Sequence, residues 1–429
     1  MSANRIPDQL AYLLITTCVL GTLASCGGQS TSEAPTLTYW RTLSGAAGDA
    51  QEELVRRFNT ERPSVHVKTE FQGSYSDLRT KLIASAASNT GPNVSLLGTY
   101  EILEMKKAGL LVDLRPYLDG ANGIDTSQWP GTLRAGGELD GGIYWLPFNV
   151  SVPVLYYNRD ALAAANLAGP PATWSEFYAA ARAMTVRDAD GKVVRVGVAL
   201  WDDLWPLVSM IWSEGGELTN RDYSSITLNN PAAVKVLQEL QKLIQEGAAS
   251  VGVAATGGHR ALFKQGGAAM ILDSPAPFEE IFSQSSGFAP EACAFPVGSA
   301  GAVYAPGGGG LVMLASTPEQ ERIAAWDFIR FMLSPKELAH FAHRSGYVAF
   351  TKEAQVELAL TLEEPNYRRI YAALPNIRGD FSVNMSPAIR NAFTEAYQKA
   401  FIQNANVQTV LDEADAKAEA EIKRATSGS

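Results

Sequence analysis

The sequence is poor in the side chains that bind metals, and it has no excess of positive charge. Only three cysteines and four histidines occur among its 429 residues. His340 and His343 share a helix face, but no third ligand lies near them, so we expect no metal site. Acidic residues outnumber basic ones by 45 to 35, which gives a formal net charge of -10. That balance excludes general nucleic-acid binding, because nothing supplies a broad positive field for phosphate backbones.

Two sequence signatures of catalysis are also missing. No G-x-S-x-G elbow is present, and the serine, histidine and aspartate residues show no informative arrangement. The densest glycine run, APGGGGLVML over residues 305–314, lacks the Gly-Lys-Ser/Thr ending of a phosphate-binding loop. It indicates a turn or hinge before a buried strand at Leu311–Leu314. We therefore expect a protein without catalytic residues and without a cofactor.

The longest apolar stretch that stands out, Leu10 to Leu23, is too short for a comfortable membrane span and is typical of a signal-peptide core. It ends in LASCG, which resembles the lipobox of bacterial lipoproteins, and this resemblance implies that Cys26 carries a lipid. An ordinary cleavage site with an incidental cysteine is the alternative. We predict a signal peptide over residues 1–25, a flexible tether over 26–35, and an exported protein anchored to a membrane face. Cys293 would then be the only cysteine of the folded part, without a disulfide partner.

Short apolar runs alternate with helical patterns along the rest of the chain, which predicts an α/β fold with parallel-type sheets and flanking helices. The length exceeds what one hydrophobic core supports, so two lobes are expected. The segment IYWLPFNVSVPVLYYN, residues 143–158, carries Pro147 and Pro153 and is interpreted as a crossover between lobes. The predicted divisions are lobe 1 over 36–148, lobe 2 over 149–302, a return to lobe 1 over 303–350, and the completion of lobe 2 with C-terminal helices over 351–429.

Several motifs, in this order, resemble the extracellular solute-binding proteins of ABC importers (family 1). They are LTYWRT, F-N-x-x-x-P, GSYSDLRTKLIASAASNTGPNV, WLPFNVSVPVLYYNRDAL, TWSEF and F-x-x-G-x-A-A-M, which together cover essentially the whole mature chain. The resemblance implies a two-lobed periplasmic-binding-protein fold of class II type, with a small solute held in a cleft between the lobes. It also implies hinge closure on the ligand and delivery to permease transmembrane subunits that use a separate ATPase.

Within that family the sequence is most similar to the branch that binds sn-glycerol 3-phosphate and glycerophosphodiesters. The resemblance implies ligand contacts from these matching positions: Tyr75, Ser151, Ser274, Gly307, Gly308, Tyr347 and Arg390. Arg390 would be the largest single contact, because a charge-assisted hydrogen bond contributes about 1.5 to 3 kcal/mol. That branch also carries an acidic residue at the glycerol hydroxyls, shortly after a short strand. Here Glu101 stands later than the resemblance implies, which leaves the glycerol end of the ligand unassigned.

A neutral di- or oligosaccharide is the alternative ligand. Trp201 and Trp205 flank two aspartates in WDDLW, and this combination suits sugar rings and their hydroxyls. The same tryptophans suit a choline-like head group through cation–π attraction, so they do not discriminate between the two ligand classes. Packing offers a plainer interpretation for Tyr75 and Tyr347, and Ser151 could merely satisfy the backbone beside Pro153.

Overall fold

Strands and helices alternate from the end of the predicted tether onward. The computed structural model describes residues 34–88, 90–201, 203–220, 225–252, 258–379 and 386–427. The predicted signal peptide and Cys26 lie outside the described residues. The strands are β1 (Thr36–Arg41), β2 (His66–Phe71), β3 (Val94–Gly98), β4 (Glu138–Leu139), β5 (Gly142–Ile143), β6 (Leu146–Ser151), β7 (Val154–Asn158), β8 (Val186–Arg187), β9 (Val193–Trp201), β10 (Ala249–Gly252), β11 (Ala268–Asp273), β12 (Pro290–Ala294) and β13 (Gly307–Met313).

Helices connect and cover these strands. They are α1 (Gly45–Glu61), α2 (Tyr75–Ser88), α3 (Ile102–Lys107), α4 (Arg115–Leu118), α5 (Gly131–Ala135), α6 (Arg159–Ala164), α7 (Trp174–Met184), α8 (Leu204–Ser213), α9 (Pro231–Gln245), α10 (Gly258–Lys264), α11 (Phe278–Gln284), α12 (Glu319–Met332), α13 (Pro335–Ser345), α14 (Lys352–Glu357), α15 (Ala359–Leu362), α16 (Pro365–Tyr371), α17 (Pro387–Ile402) and α18 (Val407–Ser427). No helix in the described ranges is long and apolar enough to cross a membrane.

The strands form two main sheets, ordered β2-β1-β3-β13-β6 and β10-β9-β11-β7-β12. The first three strands in each order are parallel. In the first sheet β1 pairs with β2 and β3, and in the second β9 pairs with β10 and β11, with helices between them in the chain. The strands β13, β6, β7 and β12 pair antiparallel. The α/β prediction is confirmed, but each sheet is mixed rather than simply parallel.

The segment over residues 143–158 carries the chain from one sheet to the other. Strand β6 is the last strand of the first sheet and pairs with β13, whereas β7 lies between β11 and β12 in the second. Pro153 falls between the two strands, and Pro147 lies on the edge strand opposite Gly310, beside a register irregularity. Both positions are ones that tolerate a missing backbone N–H. The lobe boundaries themselves stay a prediction.

The glycine run corrects one expectation. Gly307 to Gly310 do not form a turn before a strand, because they are the first part of β13 and pair with β6, Gly307 opposite Ser151. Only Gly308 among them has a left-handed φ, +90°, and a Cβ there would lie 1.8 Å from the backbone oxygen of Asn149. The glycines let two backbones approach each other closely at the end of β6.

Side-chain packing on both faces of the sheets builds the core. Leu54, Val55 and Phe58 lie on the buried face of α1, and the ring of Phe58 meets that of Phe328 edge to face at 5.1 Å. This spacing is the helical periodicity that the sequence shows. The predicted C-terminal helices include α17 and α18, which pack against each other. Asn404, between them, adopts a left-handed φ of 55°.

Candidate functional site

Strand ends from both sheets border one cavity of about 430 Å³. Gly98 ends β3, Ser151 ends β6 and Gly307 begins β13 in the first sheet, while Trp201 ends β9 in the second. Every residue predicted to contact the ligand lines this cavity: Tyr75, Ser151, Ser274, Gly307, Gly308, Tyr347, Arg390, Trp201 and Trp205. The structure thus brings together positions that are up to 315 residues apart in the chain, from Tyr75 to Arg390. Their contact with a ligand stays a prediction.

Further lining residues were not predicted as site residues. They are Gly98, Thr99, Tyr100, Glu101, Asp203, Leu204, Thr394, Tyr397 and Gln398. A signal for the last three exists in the sequence, because they follow Arg390 on α17 at intervals of four, seven and eight residues. Residues at these spacings share one face of a helix, so a predicted contact at Arg390 extends along that face.

Arg390 and Glu101 form an ion pair at the cavity wall. Arg390 Nη1 lies 3.0 Å from Glu101 Oε1, and the side chains are 41% and 6% exposed respectively. The Glu101 backbone N–H bonds the Gly98 oxygen at 3.4 Å, and this turn brings the carboxylate back beside the end of β3. For that reason Glu101 reaches the cavity despite its late position in the sequence. Its second oxygen, Oε2, is buried and has no hydrogen-bond partner in the described part of the chain.

Burial dominates the electrostatics of Glu101. Burial raises the pKa of this carboxyl above its usual range, and the neighbouring Arg390 offsets only part of that effect. The Arg390 guanidinium also lies 5.3 Å from the centre of the Tyr100 ring, while the Tyr100 hydroxyl donates to the Pro306 oxygen at 3.0 Å. Tyr100 therefore holds the guanidinium on one face without using a hydrogen-bond donor of Arg390.

Tyr75 lies at the same end of the cavity as Glu101. Asn149 Nδ2 donates to the Tyr75 hydroxyl at 2.9 Å, which leaves the phenolic hydrogen for another acceptor. Burial raises the pKa of Tyr75 well above its usual range, so the group stays a protonated donor. Burial likewise raises the pKa of Tyr347, whose ring stacks on Phe341 at 5.7 Å. Both phenols are neutral hydrogen-bond donors at physiological pH.

Ser151, Gly307 and Trp205 form a second wall. Ser151 Oγ is buried and, within the described ranges, has no hydrogen-bond partner. Trp205 lies in the first turn of α8 and donates from Nε1 to the Ala305 oxygen at 3.0 Å. A Cβ on Gly307 would lie 2.7 Å from Trp205 Cζ2 and 3.2 Å from the Ser151 Cβ. The absence of a side chain at Gly307 therefore allows the indole and the serine to lie side by side.

Trp201 and Asp203 complete the aromatic end of the cavity. The rings of Trp201 and Trp205 meet edge to face, with centroids 6.0 Å apart. Asp203 caps α8 by accepting the Trp205 N–H at 2.7 Å, and it also lines the cavity. Ser274, the remaining predicted serine, follows β11, and its carbonyl accepts from the Tyr156 hydroxyl at 2.9 Å.

Among the described residues, the cavity lining carries one guanidinium, Arg390, and two carboxylic side chains, Glu101 and Asp203. Its other polar groups are serine, threonine, tyrosine and glutamine side chains and glycine backbone. Among the described residues, no cluster of three histidine, cysteine, aspartate or glutamate side chains could hold a metal ion. The arrangement is suited to binding a small polar molecule by many directional hydrogen bonds, with aromatic surface at one end.

The chain is similar to known proteins in sequence and in fold. The chain is similar to the sn-glycerol-3-phosphate-binding periplasmic protein UgpB of Rhizobium meliloti, with 26% identity over 413 residues that cover 92% of this chain and 95% of the relative. Its fold matches UgpB of Mycobacterium tuberculosis in complex with glycerophosphocholine (TM-score 0.82, 24% identity, 91% of this chain and 99% of that one). It also matches the GacH receptor of Streptomyces glaucescens, solved unliganded and with acarbose (TM-score 0.76, 21% identity, 91% and 99%).

These matches confirm the two-lobed periplasmic-binding-protein fold that the sequence predicts. A family model, described as bacterial extracellular solute-binding protein, matches residues 44–339. That segment is more than half of the chain and contains most of the residues at the cavity. The chain belongs to the bacterial extracellular solute-binding proteins.

Proposed function

We propose that this protein captures a glycerol-phosphate compound, either sn-glycerol 3-phosphate or a glycerophosphodiester, for import into the cell. Its family makes it the solute-binding component of an ABC importer, a non-catalytic receptor that works at the extracellular or periplasmic side. The ligand class is the finer step, and it is argued from the cavity.

The pairing of Arg390 with Glu101 carries the proposal. A glycerol-phosphate compound has an anionic phosphate and neighbouring hydroxyl groups, and the cavity offers a partner for each. Arg390, 41% exposed, presents guanidinium donors that match phosphate oxygens. The unpartnered Oε2 of Glu101 is an acceptor for a hydroxyl. A ligand hydroxyl there would satisfy an oxygen that is otherwise buried without a hydrogen bond.

Neutral donors around the cavity fit the rest of a phosphate group. Ser151 Oγ has no partner among the described residues, and Tyr75 has a phenolic hydrogen to donate. Ser274, Tyr347 and the backbone of Gly307 and Gly308 line the same space. Such donors bind phosphate oxygens without adding charge to a lining that already carries Arg390, Glu101 and Asp203.

The aromatic end of the cavity favours a diester over a monoester. Trp201 and Trp205 lie beside Asp203, and this set of indole faces and a carboxylate suits a quaternary ammonium head group. The lining combines the carboxylates of Glu101 and Asp203 with the guanidinium of Arg390. It therefore fits a ligand with one positive and one negative charge better than a ligand with two negative charges. Two similar proteins support the same class, since one is named for sn-glycerol 3-phosphate and another is solved in complex with glycerophosphocholine.

Binding would proceed with hinge closure around the ligand, so that groups from both sheets act on it together. The closed protein would be recognised by permease transmembrane subunits that use a separate ATPase. We further propose that lipid at Cys26 anchors the protein to the membrane, with residues 26–35 as a tether. Cys26 lies outside the described residues.

A neutral di- or oligosaccharide is the second candidate. The paired indoles of Trp201 and Trp205 could stack on sugar rings, and Glu101 and Asp203 could accept sugar hydroxyls. The GacH receptor, which has a similar fold, is solved in complex with acarbose. This candidate leaves the guanidinium of Arg390 without an anionic ligand partner.

Isothermal titration calorimetry on the purified mature protein separates the two candidates. Glycerophosphocholine, sn-glycerol 3-phosphate, maltose and trehalose would be titrated in turn under the same conditions. We expect saturable binding of glycerophosphocholine, weaker binding of sn-glycerol 3-phosphate, and none of the two sugars. Binding of a sugar without either phosphate compound would overturn the proposal in favour of the second candidate.

A further inference from the structure

A buried carboxylate, that of Asp273, links two residues that line the cavity, Trp201 and Ser274. Asp273 is the last residue of β11 and is fully buried, and it does not line the cavity. Arg260 donates to it through both Nε and Nη2, at 2.6 and 2.8 Å. His259 Nε2 lies 2.7 Å from Oδ2, and the Ser274 backbone N–H donates to Oδ1 at 2.6 Å.

The charge state of Asp273 fixes the direction of these hydrogen bonds. Burial alone would raise the pKa of Asp273, but the Arg260 guanidinium and hydrogen bonds from His259 and Arg260 outweigh it and hold that pKa below its usual range. An ionised carboxylate only accepts hydrogen bonds, so His259 must carry a hydrogen on Nε2. The imidazole is therefore held in one orientation.

The two side chains that bond Asp273, those of His259 and Arg260, also contact Trp201. The His259 ring stacks on the indole with centroids 5.5 Å apart and an angle of 15° between the planes. The Arg260 guanidinium lies 5.8 Å from the centre of the Trp201 ring. On the other side of the carboxylate, the Ser274 amide is held by Oδ1 and the Ser274 carbonyl by the Tyr156 hydroxyl. The Asp273 carboxylate thus contacts Ser274 directly and Trp201 through His259 and Arg260.

We propose that Asp273 is a positioning residue for the ligand site, which sets the plane of Trp201 through His259 and Arg260 and the placement of Ser274 through its backbone amide. Asp273 does not line the cavity, and it acts by holding Trp201 and Ser274 in place relative to each other. The inference rests on the proposed function in one respect, namely that Trp201 and Ser274 contact the solute. The buried hydrogen bonds to both oxygens of Asp273 restrict the movement of their donors, and rigidity in supporting residues preserves the geometry of a binding site.

The chain provides a matched control. Glu337 is a buried carboxylate at the start of α13, bonded to Arg57 at 2.7 Å, and it is not among the residues that line the cavity. The side-chain exposures of the Arg57–Glu337 pair are 28% and 2%, against 29% and 0% for Arg260–Asp273. Asp273→Asn and Glu337→Gln remove the same charge from similar pairs, so both should lower the melting temperature. Only the first should change the ligand site.

Two measurements test the role. The first is the dissociation constant for glycerophosphocholine, which should rise about tenfold in Asp273→Asn, as for the loss of supporting partners in other sites, and stay unchanged in Glu337→Gln. The second is the emission of Trp201, obtained by subtracting the spectrum of the matching Trp201→Phe variant. We expect this difference spectrum to change with Asp273→Asn and not with Glu337→Gln, in the absence of any ligand.

A double-variant cycle separates positioning from a general loss of structure. If Asp273 acts through Trp201, Asp273→Asn should weaken binding less in the Trp201→Leu background than in the wild type. Should Asp273→Asn fail to fold, His259→Gln and Arg260→Gln each remove one connection and should change the Trp201 emission. Equal responses of the Asp273 and Glu337 variants in both measurements would overturn the inference.

The outcomes distinguish this inference from the proposed function. If the wild type binds neither glycerophosphocholine nor sn-glycerol 3-phosphate, the proposed ligand class fails, while the Trp201 emission still decides the role of Asp273. If maltose binds instead, the affinity measurement is made with maltose. If the phosphate compounds bind and Trp201 emission is insensitive to Asp273, the positioning role alone is wrong.

Discussion

Gly307 and Trp205 are closer than any other residue type at position 307 would allow. A Cβ on Gly307 would stand 2.7 Å from Trp205 Cζ2, a separation that real Cβ atoms do not adopt. Gly307 is the first residue of β13 and Trp205 is the second residue of α8, so this contact joins the first sheet to the helix that follows β9 of the second. The absence of a side chain at Gly307 thus allows the Trp205 indole to take its position in the cavity.

Gly307→Ala should therefore weaken ligand binding and also lower stability. The added methyl group pushes on the far edge of the indole and on the Ser151 Cβ, which displaces two predicted contacts at once. The overpacking lowers folding stability by about 1 to 3 kcal/mol, and we expect the displaced contacts to lower affinity about 10- to 100-fold, as for lost supporting partners in other sites. Calorimetry with glycerophosphocholine checks it. Gly131→Ala is the control, because a Cβ there meets nothing within 4 Å.

Arg390→Gln should raise the dissociation constant for glycerophosphocholine about 10- to 150-fold, since a charge-assisted hydrogen bond of about 1.5 to 3 kcal/mol is lost. Arg378→Gln is the matched control. Arg378 pairs with Glu217 at 2.7 Å and lies 4.5 Å from the centre of the Trp212 ring, much as Arg390 pairs with Glu101 and lies over Tyr100. Unchanged affinity for phosphate compounds in Arg390→Gln would contradict the proposed ligand class.

The pH dependence of stability should reveal the burial of Glu101. Its folded-state pKa is raised, mainly by burial, so the stability associated with the protonated form is fully present below the usual glutamate range. That stability is lost as the pH rises through the folded-state pKa. The melting temperature of Glu101→Gln relative to the wild type should therefore increase from acid to neutral pH in thermal scans.

Asp273→Asn provides a comparison of opposite sign for that experiment. The folded-state pKa of Asp273 is lowered, so its contribution to stability is present above the usual aspartate range and is lost as the pH falls. The deficit of Asp273→Asn should shrink towards acid pH. If the Glu101 and Asp273 variants changed in the same direction with pH, the electrostatic description of Glu101 would be wrong.

Trp201→Leu should separate the two phosphate ligands from each other. A cation–π contact contributes about 0.5 to 2 kcal/mol, so the affinity for glycerophosphocholine should fall about 2- to 30-fold. The affinity for sn-glycerol 3-phosphate, which has no quaternary ammonium, should change little. Trp40→Leu serves as the control, because Trp40 is half-buried outside the cavity lining and its indole bonds Glu70 at 3.0 Å. Equal losses for both ligands would argue against a choline contact.

Cys26→Ser should release the protein from the membrane. In an expressing bacterium we expect the wild type to fractionate with membranes and to gain the mass of a lipid, and globomycin should block its maturation. Cys18→Ser is the natural control, because Cys18 lies within the predicted signal peptide and should be removed with it. A soluble wild type with an unmodified Cys26 would instead support an ordinary cleavage site.

Much of the fold could be predicted because local signals agree with the tertiary structure. The stretch from Trp174 to Met184 has helical spacing in the sequence and forms α7, since Thr173 Oγ1 accepts the Glu176 N–H and caps its start. The glycine run was assigned wrongly for a physical reason. Glycine carries no side chain and thus shows no periodicity, so its place in β13 depends on pairing with distant strands.

The site was predicted best where the resemblance supplied a position and least where only the fold supplies one. Arg390 and Ser274 come from motifs, and the structure places both at the cavity. Tyr100 has no motif and reaches the cavity through the turn that follows β3. Asp273 was not predicted at all, because a carboxylate at a strand end gives no sign of which side chains surround it.

The position of β13 has a consequence for how the protein matures. This strand lies between β3 and β6, so both of those strands keep an open hydrogen-bonding edge until residues 307–313 have been synthesised and docked. Pairing across such long sequence distances is slow, and unpaired edges invite association with other chains. The first sheet cannot close on a nascent chain that is still emerging. Export through a membrane channel requires an unfolded chain. The late position of β13 favours export because the first sheet stays incomplete until this strand has been synthesised.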